Sequence, residues 1–264
     1  MKLLTLNTHI IIDEGYERKI DIFCSAITKH KPDVVALQEV MQPLDSEEAE
    51  KCDCLKRVGE IPVKNGNFAL NVLNRLRERS LDYCGVYLGI KKAYDRYDEG
   101  IAILSNKEIN TTEITQLTPF NDYSNWKTRF ALGAGIGDYW FYSLHFNWED
   151  EKDSPFKNEW RELLSVIHSK KNVYLMGDFN LTPSSQGYEL ITKNYFDTYM
   201  LAKDIDNGIT VKGKIDGWNE NTENKRIDYI FTSRNTDFKS SKVIFDGKNE
   251  EIISDHFGIL LIKE

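Results

Sequence analysis

Four polar side chains each lie at or just after the end of an apolar run, and they are Asn7, Glu39, Asp178 and Asp255. A polar residue at the end of a buried strand lies at the rim of a sheet, where α/β folds build their sites. Oxygen ligands without thiolates favour Mg²⁺ or Mn²⁺ over zinc. Taken singly, such residues could instead cap a loop or pair with a basic side chain. Taken together, they predict one acidic cluster that can hold a hard cation.

Two histidines follow the same pattern. His145 ends an apolar run, and His256 comes directly after Asp255. An imidazole beside a phosphate can stabilise developing charge or protonate a leaving group. Asp228 could orient such an imidazole and keep it charged, or it could form a salt bridge with the nearby Arg226. Phosphate chemistry at a metal is therefore one hypothesis for this cluster.

The elements that must position these residues alternate between strands and helices. Apolar spacing predicts helices over 20–30, 68–79, 187–193 and from a Ser154 cap onward, and strands over 2–7, 33–38, 83–90, 100–105, 109–115, 129–136, 139–146, 172–177, 209–212, 227–232, 241–246 and 257–262. The stretch 41–66 is acidic and then marked by Pro and Gly, which favours a surface insertion. The stretch 100–146 is free of predicted helices, which favours antiparallel pairing. We therefore expect two packed sheets with helices outside, in a single domain over residues 1–264.

Composition limits the function classes. The chain has 264 residues, with 34 Lys and Arg against 42 Asp and Glu and a net charge of −8. Nonspecific nucleic-acid binding needs a basic face that releases counterions, so this balance disfavours it. No apolar run approaches the ~18 residues of a membrane span, and the short run at 2–7 is not typical of a secretory signal. With four cysteines and no zinc-finger spacing, we expect a cytoplasmic location.

Seven segments occur in the order found in one known superfamily. They are Thr5-Leu6-Asn7, Leu37-Gln38-Glu39-Val40, the run from Asp98 to Ser105, Ser143-Leu144-His145, Gly177-Asp178-Phe179-Asn180, Arg226-Ile227-Asp228-Tyr229-Ile230 and Ser254-Asp255-His256-Phe257-Gly258. Across residues 2–262 the chain thereby resembles the endonuclease/exonuclease/phosphatase superfamily. The resemblance implies a four-layer α/β/β/α sandwich, with two mixed sheets and a site at one rim. It also implies hydrolysis of a phosphoester with Mg²⁺ or Mn²⁺ as cofactor.

The resemblance further implies a role for each matching residue. Glu39 resembles the metal ligand with Asn7 beside it, and Asp255 resembles the acid near the metal. Asp178 resembles the residue that positions or deprotonates the attacking water, and Asn180 resembles a donor to the phosphate oxyanion.

The two histidines also match positions of the superfamily. His256, oriented by Asp228, resembles the histidine that contacts the scissile phosphate. His145, supported by Glu99, resembles the second histidine of the deoxyribonuclease-like and sphingomyelinase-like branches.

Further segments are similar to a narrower group, the bacterial maltose 6′-phosphate phosphatases. They include residues 6–9, 125–129, 145–151, 155–160, 214–218 and 245–248. The chain departs from that group at Asn147, where the group has Gly, and at residues 10–12, where a Trp-containing turn is expected. The resemblance implies a small phosphorylated substrate, such as a sugar phosphate, in preference to nucleic acid or a membrane.

The residues that could recognise such a substrate are aromatic or basic, and they are His9, Trp126, Lys127, Arg129, Trp148 and Trp218. The tryptophans lie in polar contexts, where an indole can stack on a sugar ring or pack against its own loop. The lysine and arginine could neutralise a phosphate dianion. The histidine could contact the site or line its wall. We expect a phosphomonoesterase acting on a phosphorylated sugar. The alternatives are a DNA endonuclease or exonuclease and, more remotely, a non-catalytic binding module.

Overall fold

The computed structural model describes residues 1–9, 14–50, 52–213 and 222–263. Its helices are Tyr16–His30 (α1), Phe68–Glu78 (α2), Phe156–Ile167 (α3), Gln186–Thr192 (α4) and Thr198–Leu201 (α5). Its strands are Lys2–Asn7 (β1), Val34–Pro43 (β2), Leu55–Arg57 (β3), Cys84–Ala93 (β4), Tyr97–Ser105 (β5), Thr111–Gln116 (β6), Phe130–Ile136 (β7), Tyr139–His145 (β8), Val173–Asp178 (β9), Phe196–Asp197 (β10), Ala202–Ile205 (β11), Val211–Lys212 (β12), Asn224–Lys225 (β13), Asp228–Thr232 (β14), Phe238–Ile244 (β15) and Gly258–Ile262 (β16).

All but two of these strands form two large mixed sheets, and β12 and β13 pair with each other. One has eight strands in the order β11-β15-β16-β1-β2-β5-β4-β3, and the other has six in the order β10-β14-β9-β8-β7-β6. The pairs β1–β2 and β8–β9 are parallel, while β4–β5, β6–β7 and β7–β8 are antiparallel. The antiparallel pairing expected within 100–146 is therefore present, although β5 and β6 belong to different sheets.

Three apolar layers hold the sandwich together. The layer between the sheets includes Leu3, Ile103 and Met176. The helices α1 and α2 cover the outer face of the larger sheet, where Phe23 packs on Phe68. The helices α3 and α4 cover the smaller sheet. The predicted α/β/β/α sandwich is thus confirmed, and its stability comes mainly from burying both faces of each sheet.

Helix α2 shows how local sequence fixes an element. The side chain of Asn67 accepts a hydrogen bond from the Leu70 N–H at 3.1 Å and so caps the first turn. Its buried face includes Leu73 and Leu76, spaced as the sequence predicted. The predicted Ser154 cap of α3 is wrong, because Pro155 occupies the N-cap position without a side-chain bond.

The surface insertion predicted at 41–66 is wrong in part. β2 continues through Pro43, Leu55 begins the edge strand β3 beside β4, and Val63 is 2% exposed within the core. The sequence does not reveal β3, because three residues are too few to show an alternation of polar and apolar side chains.

Candidate active site

Strand alternation brings four polar side chains to one rim of the space between the sheets. Asn7 ends β1, His145 ends β8, Asp178 ends β9, and Asp228 begins β14. Each is an even number of positions from a residue of the inter-sheet core on its own strand, so all four side chains face that space. Asp178 is moreover the register partner of both His145 and Asp228.

Asn7 joins carboxylates from both sheets. Its Nδ2 donates to Glu39 Oε1 at 2.9 Å and to Asp178 Oδ2 at 3.2 Å. Its carbonyl accepts from the Ser254 hydroxyl at 2.8 Å. The side chain is fully buried, so the amide fixes the distance between the two acids.

Glu39 lies in a bulge of β2 rather than at the strand end that the sequence suggested. Register with β5 shifts between Leu37 and Val40, and Glu39 has a left-handed φ of 49°. The bulge re-aims its side chain towards the rim, where Oε2 lies 2.7 Å from Nδ1 of His9. Burial opposes ionisation of Glu39, but His9 and Asn7 outweigh it and hold the pKa well below its usual range.

Asp178 is a buried acid near other acids. Burial and the neighbouring charge of Asp228 raise the pKa of Asp178 to about 7. Its Oδ1 accepts the backbone N–H of Asn180 at 2.9 Å, and its Oδ2 lies 3.6 Å from Nε2 of His145. Its carboxylate therefore lies among groups that could donate a proton to it or bind a cation.

Asp228 and His256 form a carboxylate–imidazole pair. Nδ1 of His256 lies 3.0 Å from Asp228 Oδ2 and 3.2 Å from Oδ1, which leaves Nε2 at 3.8 Å from Asp178 Oδ2. Burial lowers the pKa of His256, but the carboxylates of Asp228 and Asp178 outweigh it and raise it well above its usual range. The imidazole is therefore held as a cation with Nε2 available as a donor.

His145 differs from His256 in charge. Burial and the nearby Arg129 lower the pKa of His145 well below its usual range, so its imidazole is neutral. Oε1 of Glu99 lies 3.0 Å from Nζ of Lys91, and the support of His145 by Glu99 stays a prediction.

Of these groups, Glu39, Asp178, His145 and His256 line one cavity of about 410 Å³, whereas Asn7 and Asp228 lie behind them. Its lining comprises His9, Glu39, Lys91, Lys92, Ala93, Tyr94, Glu99, Trp126, Arg129, His145, Asn147, Trp148, Asp178, Asn180 and His256. The volume is within the range of small-molecule sites. The indoles of Trp126 and Trp148 lie 5.9 Å apart at an interplanar angle of 60°.

A sequence profile of the Endonuclease/Exonuclease/phosphatase family matches residues 5–256. The chain belongs to this family. It is accordingly a metal-dependent phosphoester hydrolase, as the sequence predicted. Among curated proteins, none matches the sequence significantly.

Three solved structures illustrate the range of similar folds. An endonuclease/exonuclease/phosphatase family protein from Leptotrichia buccalis C-1013-b is 30% identical, with a TM-score of 0.86 over 100% of this chain and 99% of that one. A mannosyl-6-phosphatase from Bacteroides thetaiotaomicron VPI-5482 is 18% identical, with a TM-score of 0.68 over 99% and 98%. A 3′ phosphatase from Neisseria, bound to a product DNA hairpin, is 16% identical, with a TM-score of 0.65 over 100% and 99%. At these identities the last two show the fold alone.

Some residues that line the cavity are not among those that the sequence predicted. Lys91 is 4% exposed, and its Nζ donates to the Trp126 carbonyl at 2.7 Å. Burial and the nearby Arg129 lower the pKa of Lys91 to about 8. Lys91 follows a second register shift, between β4 and β5, and a bulge leaves no periodic signal in the sequence. Tyr94 was missed for a related reason, since it lies in the turn between these strands with a left-handed φ of 52°.

Other predicted residues do not line the cavity. Lys127 points to Glu151 and Asp153, with both Nζ–carboxylate distances at 2.6 Å. Asp255 precedes His256, and its Oδ1 accepts from the Ser254 hydroxyl at 3.3 Å. Trp218 and residues 10–12 lie outside the described residues. The roles predicted for all these positions stay predictions.

The residues of this family member fit a divalent cation. Carboxylate oxygens of Glu39 and Asp178 lie on either side of Asn7 Nδ2, and the raised pKa of Asp178 reflects negative charge that burial leaves undercompensated. Ligand atoms of Asp178, Asp228 and His256 also lie within 4.8 Å of one another. His256 is a poor ligand there, because Nδ1 already bonds Asp228 and the ring is cationic. The Glu39 side is the better match for a hard cation.

Proposed function

We propose that this hydrolase is a phosphomonoesterase that releases phosphate from a phosphorylated sugar such as maltose 6′-phosphate. The observation that carries the proposal is the shared cavity, which has Asp178, Asn180 and His256 in its lining together with Trp126 and Trp148. A sugar phosphate matches both groups of residues. Its phosphate needs hydrogen-bond donors, and its sugar ring needs an aromatic face.

In the proposed reaction, Asp178 accepts a proton from the attacking water. A base with a pKa near neutrality suits this task. Asn180 donates to a phosphoryl oxygen, and His256, held by Asp228 at 3.0 Å, donates from Nε2 to the phosphate or the leaving oxygen. The neutral His145 contacts the same phosphate. Donors fixed before the reaction stabilise the charge that develops in the transition state.

Glu39 and Asn7 would hold the divalent cation, Mg²⁺ or Mn²⁺, with Asp255 as a further acid close by. When bound, such an ion supplies positive charge that stabilises the phosphoryl oxygens and the attacking oxygen. His9 would orient the Glu39 carboxylate through the 2.7 Å contact from its Nδ1.

The sugar would stack on Trp126 or Trp148. Trp126 is 51% exposed, so its ring offers a free face to a ligand. Arg129 lines the same cavity and could neutralise part of the phosphate charge. Lys127 contributes indirectly, since its Nζ lies 5.5 Å from the Trp126 ring.

The cations around the cavity favour a small substrate over a nucleic acid. Lys91 pairs with Glu99, and Lys92 pairs with Asp95. Lys127 has two carboxylate partners. A nucleic-acid backbone would have to compete with these partners for each of the three lysines, in a chain of net charge −8.

The comparisons support the proposal at the level of fold. The Bacteroides protein, named a mannosyl-6-phosphatase, indicates that this sandwich can host sugar-phosphate hydrolysis, although fold does not choose a substrate. The single domain over residues 1–264 and the cytoplasmic location remain predictions. Among the described residues, no helix is both long and apolar enough to span a membrane.

A substrate panel tests the proposal. The protein is assayed with Mg²⁺ or Mn²⁺ for phosphate release from several sugar phosphates, and in parallel for nicking of plasmid, cleavage of abasic duplex and release of a DNA 3′-phosphate. We expect turnover of at least one sugar phosphate and little action on DNA. Efficient action on DNA with no release from any sugar phosphate would contradict the proposal and favour the nuclease alternative.

A further inference from the structure

The side-chain amide of Asn180 has its orientation fixed by two partners. The indole Nε1 of Trp148 donates to Asn180 Oδ1 at 3.0 Å, and Asn180 Nδ2 donates to the Phe146 carbonyl at 2.9 Å. An indole N–H can only donate and a carbonyl can only accept, so the amide cannot be flipped without losing both bonds. One hydrogen of Nδ2 remains, and none of the described residues takes it.

The backbone around Asn180 does not fix the amide by itself. Asn180 has a left-handed φ of 51°, which is a conformation that Asn tolerates better than most residues. The side chain leaves the loop after β9 and is half-buried. Its rotamer therefore depends on the neighbouring segment 146–148, which supplies both partners.

Segment 146–148 is in turn hydrogen-bonded to Glu159 of α3. Asn147 donates its backbone N–H to Glu159 Oε2 at 3.0 Å and its Nδ2 to Oε1 at 2.6 Å. Glu159 has no exposed surface, and burial raises its pKa. Two donors aimed at two different oxygens match an ionised carboxylate, so this acid is an anchor for the segment rather than a solvated surface group.

We propose that Glu159, Asn147 and Trp148 are positioning residues that aim the Asn180 amide nitrogen at the phosphoryl oxygen. The proposal rests on the role of Asn180 in the proposed function. Trp148 then has two tasks, because it lines the cavity wall offered to the sugar and also orients a group that acts on the phosphate. A residue that only stacked on the sugar would not affect a substrate that has no sugar.

Replacing Trp148 by Phe tests this directly, because Phe keeps an aromatic ring and removes the N–H. We expect kcat to fall about tenfold on both a small chromogenic phosphomonoester and the sugar phosphate, as loss of one orienting hydrogen bond implies. Trp140→Phe is the matched control, since Trp140 packs on Tyr142 on the opposite face of the small sheet. We expect it to leave both kcat values within about twofold.

A double-mutant cycle separates this idea from the proposed function. If Trp148 acts through Asn180, Trp148→Phe has no further effect on kcat in an Asn180→Ala background, whereas independent roles give additive losses. Additive losses, or an effect confined to KM for the sugar phosphate, would overturn the positioning role and leave the proposed function standing. An unchanged kcat in Asn180→Ala alone would overturn the role of Asn180, and with it this inference.

Glu159→Gln is the second variant, and it keeps the proposal open to refutation if Trp148→Phe folds poorly. Gln retains one acceptor but presents an amide N–H₂ to one of the two Asn147 donors. We expect kcat to fall several-fold on both substrates with KM nearly unchanged. Glu162→Gln on the same helix is its control, because Glu162 lies at the surface beside Arg161. Wild-type kcat in Glu159→Gln would contradict the proposal.

Discussion

The two ends of the cavity are built from different kinds of backbone. The residues of the phosphate end include Asp178 and His145, which end paired central strands, and Asp228 of β14, which is the register partner of Asp178 in β9. The residues proposed to meet the sugar include Trp126 and Trp148, which lie in the loops after β6 and β8. The strand residues of the phosphate end are set by sheet register, whereas the tryptophans of the sugar end are set by loop contacts.

This difference determines how much each end tolerates change. A register slip of one residue would turn every side chain of a strand to the other face and expose the core, so the phosphate end is tied to the stability of the whole sandwich. The loops can vary in length and sequence without disturbing the sheets. Substrate preference can therefore change within this fold while the reaction stays the same.

The largest expected effect is at the phosphate end, in Asp178→Asn. Removing the proposed base should lower kcat about 10³-fold on the chromogenic substrate and the sugar phosphate alike. The fold should survive, because burial and Asp228 already disfavour the charged form of Asp178. Phosphate release and thermal unfolding measure the two expectations. Near-normal turnover in the variant would contradict the assignment of Asp178.

A second prediction compares the loss of kcat caused by substituting each residue of the carboxylate–imidazole pair. His256→Ala removes the proposed donor and should lower kcat about 10²-fold, whereas Asp228→Asn retains the imidazole and should lower it less. Asp228→Asn removes the neighbouring negative charge that raises the pKa of His256, so the acidic form of the imidazole should be lost at a lower pH. The alkaline limb of the kcat profile should therefore move to lower pH. An unmoved limb with reduced kcat would mean that Asp228 acts only by orienting the ring.

At the sugar end, Trp126→Ala should raise KM without lowering kcat. Loss of one stacking face should raise KM for the sugar phosphate about tenfold, since aromatic contacts contribute about 1 kcal/mol or more. The chromogenic monoester should show much less change in KM. The comparison of the two ends would fail if both substrates lost kcat equally, because Trp126 would then belong to the phosphate end.

The same difference explains what the sequence could predict. Asp178 and His145 could be predicted because each ends an apolar run, whereas Asp228 was predicted only as an acid that could orient an imidazole or pair with Arg226. Glu39 was predicted as a residue at a strand end, but a bulge directs its side chain to the rim. The clustering of strand-end polar groups was predicted from the residues and the rim of a sandwich from the superfamily resemblance, but neither predicted the order of the strands within the two sheets.

The contacts of the sugar end could not be predicted from spacing. Lys91 follows a bulge in β4, and bulge positions depend on how two strands pair, which a single strand's pattern does not record. The role of Lys127 towards a phosphate stays a prediction, and its spacing gave no sign of its partners Glu151 and Asp153, which lie more than twenty positions further along the chain. Loop side chains take the partners that the fold brings to them, and local sequence does not identify these partners.

The smallest expected effect concerns the cation buried between the two ends. Lys91 has a pKa of about 8 when folded, lowered by burial and by Arg129, against an ordinary value of about 10.4 in the unfolded chain. Between these values the unfolded chain binds more protons, so the free energy of unfolding rises with pH. The contribution is about 1 kcal/mol between pH 8 and pH 9.

The matched comparison is the double variant Lys91→Met/Glu99→Gln, which removes the lysine without leaving the Glu99 carboxylate buried and unpaired. Other tyrosines and lysines titrate in both proteins, so the measured quantity is the difference between their urea-unfolding free energies across pH 8 to 9, without metal or substrate. We expect this difference to move in favour of the wild type as pH rises. Parallel curves would mean that folding leaves the pKa of Lys91 near its ordinary value, because water or the Glu99 carboxylate compensates its charge.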